Sequence, residues 1–452
     1  MKNVIVKTVS MLLVLVLVLA CFAGCASTEP QTTEPTKATE SNDLGEFIDY
    51  AAQLKLDMES SSLKQEATVK TFVDGDTTHF YVPNSVMSSG VLKARYLAIN
   101  TPESTGKIEE YGKKASAFTR AALEKATSII IESDDGNWNA DSTGDRYLVW
   151  VWYKTAEMTE YRNLNLEILQ NGLAIASNTA QNRYGGPCMN ALNQAKQHKL
   201  NVFSGEKDPD FYYGAAHELT IKEIRTNTEA YGGQKVAFTG VITINNNNGV
   251  YVESYDEETD MYYGIYVYYG FNLSGMGLGI LKPGHEVRIV GSLQYYEAGG
   301  TWQVADLSYD MMEPNHPNNI QKLSEGHSPA FKVTTAEEFQ SKVELALEEE
   351  NKVFDYAHLA LNTSVEMKNL VVKDIYTTKN EESSSKGAMT LTCEVDGKLI
   401  DVRTVVLYDE NGNLITEAMY RGKTIDVQGV VDYFDGRYQI KVFTKDHITI
   451  HE

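Results

Sequence analysis

Val73-Asp74-Gly75-Asp76-Thr77, Arg95-Tyr96-Leu97-Ala98-Ile99-Asn100-Thr101-Pro102-Glu103 and Gly144-Asp145-Arg146 hold the residues of this chain best suited to chemistry. Carboxylates on two neighbouring turns can hold a hard divalent cation and supply a general base. Two arginines can fork the oxygens of a phosphate in one plane, which lysine cannot do. Together these groups are what metal-assisted hydrolysis of a phosphodiester requires. Singly they carry little weight. An Asp-Gly pair between strands is usually a turn, a Glu after Pro is usually a solvated helix start, and an isolated Arg is usually half of a surface ion pair.

The three blocks resemble the staphylococcal nuclease (thermonuclease) family. The likeness runs over residues 69–210 and takes in Tyr111-Gly112-Lys113-Lys114-Ala115-Ser116-Ala117-Phe118-Thr119 and Gln170-Asn171-Gly172-Leu173-Ala174. It implies a Ca²⁺ site with Asp76 as a ligating carboxylate and Thr101 contributing its backbone carbonyl. It gives Glu103 the task of orienting or deprotonating the attacking water. Arg95 and Arg146 would grip the scissile phosphate and stabilise its transition state. Two departures matter. Asn100 stands where the best-known member has an aspartate ligand, so the amide oxygen would serve with one charge fewer. Asn178 falls where that member sets an aromatic ring against the base. Gly144-Asp145-Arg146 also has one residue more than the usual Gly-Arg.

The remaining composition bounds the setting. A chain of 452 residues suggests about three domains. Its formal charge of −22 is unusual for a protein that meets nucleic acid. Residues 67–204 nevertheless carry 14 Lys plus Arg against 14 Asp plus Glu, so the acidity lies elsewhere. Lys2, Lys7 and the apolar run 11–20 read as a signal peptide, too short to span a bilayer. Phe22-Ala23-Gly24-Cys25 resembles a lipobox, with Cys25 as the lipidated residue and Val18-Leu19-Ala20-Cys21 as a competing site. The Thr, Glu and Pro content that follows reads as a tether. Cys188 and Cys393 fall in regions assigned to different domains, which argues against a disulfide framework. The scattered histidines lack zinc spacing.

The elements that must position the candidate residues read as mainly β with α. Residues 1–25 are expected to be a lipoprotein signal peptide, 26–44 a disordered tether and 45–66 a short helical segment. Residues 67–210 are expected to form a thermonuclease-like domain, which by the resemblance is an OB-fold-type five-stranded barrel plus helices. Two further OB-like β-barrels are expected at 215–325 and 333–452, the last opening with a helix over 335–349. Gly284-His285-Glu286-Val287-Arg288-Ile289-Val290-Gly291 is echoed by Gly422-Lys423-Thr424-Ile425-Asp426-Val427-Gln428-Gly429, which points to two copies of one module. Tyr266, Tyr268, Tyr295 and Trp302 are candidates for stacking on single-stranded bases, against a reading as strand-pairing and core residues.

The leading expectation is an exported, lipid-anchored, Ca²⁺-dependent endonuclease cutting DNA, with RNA as a second substrate class, and no protein partner. The alternative is a surface nucleic-acid- or ligand-binding lipoprotein whose nuclease domain is weakened by Asn100. Every candidate catalytic group lies between Asp76 and Arg146, so the accessory region is expected to be dispensable for chemistry.

Overall fold

The computed structural model describes residues 46–451 apart from 272, 348, 349, 381 and 382. The expected signal peptide, Cys25 and the tether lie outside the described residues. Among the described residues no helix is long and apolar enough to cross a membrane.

The first barrel is made from β1 (Lys64–Asp74), β2 (Thr77–Tyr81), β3 (Val91–Tyr96), β5 (Ser128–Glu132) and β6 (Tyr147–Lys154). Antiparallel pairs β1–β2, β2–β3, β1–β5 and β5–β6 are closed into a ring by parallel pairing of β3 with β6. Strand β3 alternates, with Leu92, Ala94 and Tyr96 buried and Lys93 and Arg95 turned outward. β6 buries Val149 through Tyr153 without a break, because the helix Leu164–Gln170 packs on it. The helix Gly112–Glu124 lies against β1, and the helix Gly185–Gln197 lies against Leu164–Gln170. A short pair, β4 (Ile99–Asn100) with β8 (Ile175–Ala176), fixes the chain just before Thr101.

Among the described residues, the segment expected to be helical over 45–66 is only one turn of helix, Tyr50–Gln53, followed by bends, and β1 already starts at Lys64. Tertiary contacts overrode its apolar spacing. Ala51 is fully buried and its N–H donates to Gln170 Oε1, while Asp49 caps the turn and pairs with Arg162. The segment is therefore docked on the first barrel.

The second barrel uses β10 (Lys235–Asn245), β11 (Gly249–Asp256), β12 (Met261–Tyr268), β13 (His285–Tyr296) and β14 (Thr301–Ala305). The third uses β19 (Ser364–Thr377), β20 (Met389–Val395), β21 (Lys398–Thr404), β22 (Thr424–Phe434) and β23 (Arg437–Val442). Both repeat the pairing of the first. Strands three and five run parallel, β12 with β14 and β21 with β23, and strands one and four close the ring. The sequence echo is structural: a Cβ on Gly291 would meet Ala305 O at 2.5 Å, and one on Gly429 would meet Lys441 O at 2.6 Å.

The expected helix over 335–349 is corrected. Only Ala336–Phe339 is helical, and Lys342–Ala346 and Asn351–Asp355 form a hairpin (β17 and β18). Val343 and Leu345 alternate with charged neighbours and face inward, so the two-residue period won over the helix propensity of the glutamates.

The second and third barrels share one continuous hydrophobic core running from Ile221 to Ile448, whereas the first has its own. Arg225, 2% exposed, donates to Gly264 O, Leu361 O and Asn362 Oδ1. Buried Glu253 accepts from the N–H and hydroxyl of Ser364 and from the Ala330 N–H. Cys188 and Cys393 are free, buried thiols.

Candidate active site

The β1–β2 hairpin turns at Gly75-Asp76, since Asp74 and Thr77 are still paired. A Cβ on Gly75 would come within 2.9 Å of both Ala115 Cβ and Thr101 Oγ1, so only glycine lets this turn press against the helix Gly112–Glu124 and the loop after β4. Thr119 Oγ1 donates to Gly75 O at 2.5 Å and locks that contact.

The turn aims Asp76 inward, fully buried. One carboxylate oxygen accepts the Thr101 N–H at 2.8 Å, and the other accepts the Thr77 hydroxyl at 3.0 Å and the Arg95 guanidinium. Arg95 also donates to Asn100 Oδ1. Burial pushes the Asp76 carboxyl up, with Arg95 and the Thr101 N–H pulling against it. Thr101 Oγ1 is buried without a hydrogen-bond partner.

Asp74 closes the other side of the site. It accepts the Ser104 N–H at 3.2 Å and the Ser104 hydroxyl at 2.6 Å, and it hydrogen-bonds the carboxyl of Glu103. That carboxyl is pushed up to about 8, first by partial burial, then by the bond to Asp74 and the charges of Asp74 and Asp76, with Arg95 opposing. Glu103 is exposed overall, so its carboxylate neighbours are the durable part of the shift. A glutamate held at such a value binds a proton readily at neutral pH, which is what a general base or acid requires.

Of the expected residues, the fold therefore joins Asp76, Arg95, Asn100, Thr101 and Glu103. Arg146 immediately precedes β6, whose Tyr147 and Leu148 pair with Ala94 and Arg95. Its guanidinium donates to Asp141 Oδ2 from Nε at 2.7 Å and forms an ion pair there from Nη2 at 2.6 Å. Asp74 and Ser104 are additions that sequence reasoning missed. Asp74 could have been found, because a two-residue turn at Gly75-Asp76 leaves one carboxylate in the turn and the other immediately before it, beside the same loop. Ser104 carries no signal beyond its place after Glu103. Asn178 takes a left-handed backbone with φ 51°, next to the 3₁₀ turn Thr179–Gln181.

The candidate stacking residues fall into separate groups. Tyr266 and Tyr268 lie on the outer side of β12, and the Tyr266 hydroxyl donates to Asn246 Oδ1. Tyr295 and Trp302 are cross-strand partners with ring centroids 5.4 Å apart. Tyr266 pairs with Gln303, so the neighbouring Trp302 points to the opposite side of the sheet, where it packs against the core.

Residues 93–205 match the family model described as staphylococcal nuclease homologue. This region is a staphylococcal nuclease homologue domain. The match takes in Arg95, Asn100, Thr101, Glu103 and Arg146 and begins after the Asp74–Asp76 turn, which the first barrel brings into the same site. The other two barrels lie outside it, and their likeness to the nuclease domain is one of strand topology.

Asp74 and Asp76 both act on the Glu103 carboxyl, and Arg95 is the positive charge opposing them. Among the described residues no group of three or more His, Cys, Asp or Glu has metal-holding geometry. The set suits a hard cation only if Asn100 Oδ1, the Thr101 carbonyl and water complete the shell. The excess of negative charge and the orphan Thr101 hydroxyl are consistent with that.

Proposed function

We propose that the nuclease domain is a Ca²⁺-dependent endonuclease acting on DNA and RNA. The reading is carried by one observation: the Glu103 carboxyl, lifted toward neutrality by partial burial and by Asp74, shares a site with the Arg95–Asp76–Asn100 cluster in a domain of this family. Asp76, Asn100 and the Thr101 carbonyl would hold the cation. When bound, it would polarise the phosphate and offset its charge. Glu103 takes the proton of the attacking water. Asp74 and Ser104 hold that carboxyl in place. Arg95 releases part of its bonding to Asn100 and forks the phosphate oxygens, and Arg146 leaves Asp141 to stabilise the charge of the transition state.

The engagement of both arginines by protein carboxylates or amides favours a second reading, a binding protein with a slow or silent nuclease site. Purified protein incubated with plasmid and with single-stranded RNA, in Ca²⁺, Mg²⁺ or EDTA, separates the two. Cleavage in Ca²⁺ that is abolished by EDTA and by Glu103→Gln supports the nuclease. Retention of nucleic acid without cleavage supports the binding protein. We further propose that Cys25 is lipidated and tethers the protein outside the cell; loss of membrane association in Cys25→Ser tests this.

A further inference from the structure

The loop that carries Glu103 is held partly from outside the nuclease domain. Within the domain, Ser104 is tied to Asp74, the Glu109 N–H donates to Glu103 O at 2.9 Å, and the Tyr111 N–H donates to Asp208 Oδ2 at 2.6 Å. The crest of the loop, Gly106, is tied to the second barrel. Its N–H donates to Gln294 Oε1 at 3.0 Å and its carbonyl accepts Gln294 Nε2 at 2.9 Å. Gln294 is 8% exposed, on strand β13. A carboxamide that satisfies both the donor and the acceptor of one residue imitates a strand partner and fixes both its position and its orientation. Gly106 has φ 70°, a conformation available to glycine at little cost, and nothing lies within 4 Å of where its Cβ would be. The glycine therefore serves backbone shape, and the clamp serves the backbone.

The same face is anchored elsewhere by the Arg120–Glu297 ion pair, from the helix Gly112–Glu124 to the end of the β13–β14 hairpin. That contact leaves the Glu103 loop untouched, so it serves as an internal control.

We infer that Gln294 is a positioning residue for Glu103, and that the second barrel is part of the catalytic apparatus. The inference rests on the nuclease reading for its kinetic arm alone. Displacing a catalytic group by even 1 Å can cost about 100-fold in rate, and a base held by a short loop is exposed to that loss.

The test compares full-length wild type, Gln294→Leu, Gln294→Glu and Glu297→Ala. Each is assayed on a short single-stranded oligonucleotide, with backbone hydrogen exchange followed over residues 103–111. Gln294→Leu should lower kcat roughly 10- to 100-fold with KM little changed and should speed exchange in the loop. Gln294→Glu keeps the acceptor for the Gly106 N–H and should recover part of the rate. Glu297→Ala should leave kcat at the parental value. Faster exchange with unchanged kcat in Gln294→Leu overturns the positioning role. An equal fall in kcat in Glu297→Ala also overturns it, because the effect would then be general loosening of the interface. A wild type that cleaves nothing defeats the nuclease reading instead, and the exchange measurement still decides whether Gln294 holds the loop.

Discussion

The first and second barrels have the same strand pairing, yet their corresponding turns differ in every chemical respect. Between strands one and two the first barrel has Gly75-Asp76, flanked by Asp74, with Arg95 at the end of strand three. The second has Asn246-Asn247-Asn248, with Asn246 accepting the Tyr266 hydroxyl, and strand three runs out through Tyr268 into Tyr269. Tyr269 donates to Asn245, closing that turn with neutral hydrogen bonds. The outer face of strands two and three and the loops at one end are where such barrels bind ligands. Topology thus provides the place, and charge density decides what can happen there. The carboxylates of the first barrel sit in a site that is costly to maintain, and the amides of the second do not.

If this contrast is right, the largest effect belongs to the residue with no counterpart in the second barrel. Glu103→Gln should lower kcat by about 10²- to 10⁴-fold with the fold unchanged by circular dichroism. Parental turnover would place the base elsewhere. Arg225→Ala addresses the other side of the comparison, the joint between barrels two and three. It strips partners from Gly264 O, Leu361 O and Asn362 Oδ1 and should cost about 1–3 kcal/mol for each buried acceptor left unsatisfied, read in denaturant unfolding of those barrels, with Ca²⁺-dependent cleavage retained. Arg146→Lys should reduce kcat by roughly 10²-fold, because a lysine cannot fork two oxygens. An unaffected rate would mean that the bond to Asp141 is its whole role. Asn100→Asp should lower the Ca²⁺ concentration for half-maximal activity about tenfold by restoring a charge to the shell. An unchanged titration would remove Asn100 from it.

The smallest effect is one of pH. The folded-state value of Glu103, about 8, lies above its ordinary 4.5, so the fold favours the protonated carboxyl. This stabilisation is complete below about pH 4.5 and is lost as pH rises through about 8. In EDTA the melting temperature of the nuclease domain should therefore drift down over that window, and Ca²⁺ should oppose the drift. A Glu103→Gln variant with the same drift would assign it to other groups.

The candidate constellation was legible because its parts are short, local and chemically distinctive. Asp-Gly-Asp must be a tight turn, and Asn-Thr-Pro-Glu must end an extended segment. The barrels were legible because alternation and turn residues recur at even spacing, and the repeated Gly291 and Gly429 mark the same close approach. Local signals failed where packing decided between periods. Residues 46–63 have helical spacing but keep only the turn Tyr50–Gln53 against the first barrel, and the glutamate-rich 342–346 stretch is a strand because Leu345 had a core to enter. The roles of Ser104 and Gln294 could not be read at all. A side chain that acts by holding a loop 188 residues away in sequence leaves no spacing to detect.

The common core of the second and third barrels has a mechanical consequence. Two modules separated by a flexible link sample many separations, but two that share buried residues behave as one rigid arm. With that arm fastened to the first barrel and its helices through Gln294 and Glu297, the third barrel stands at a set distance from Glu103.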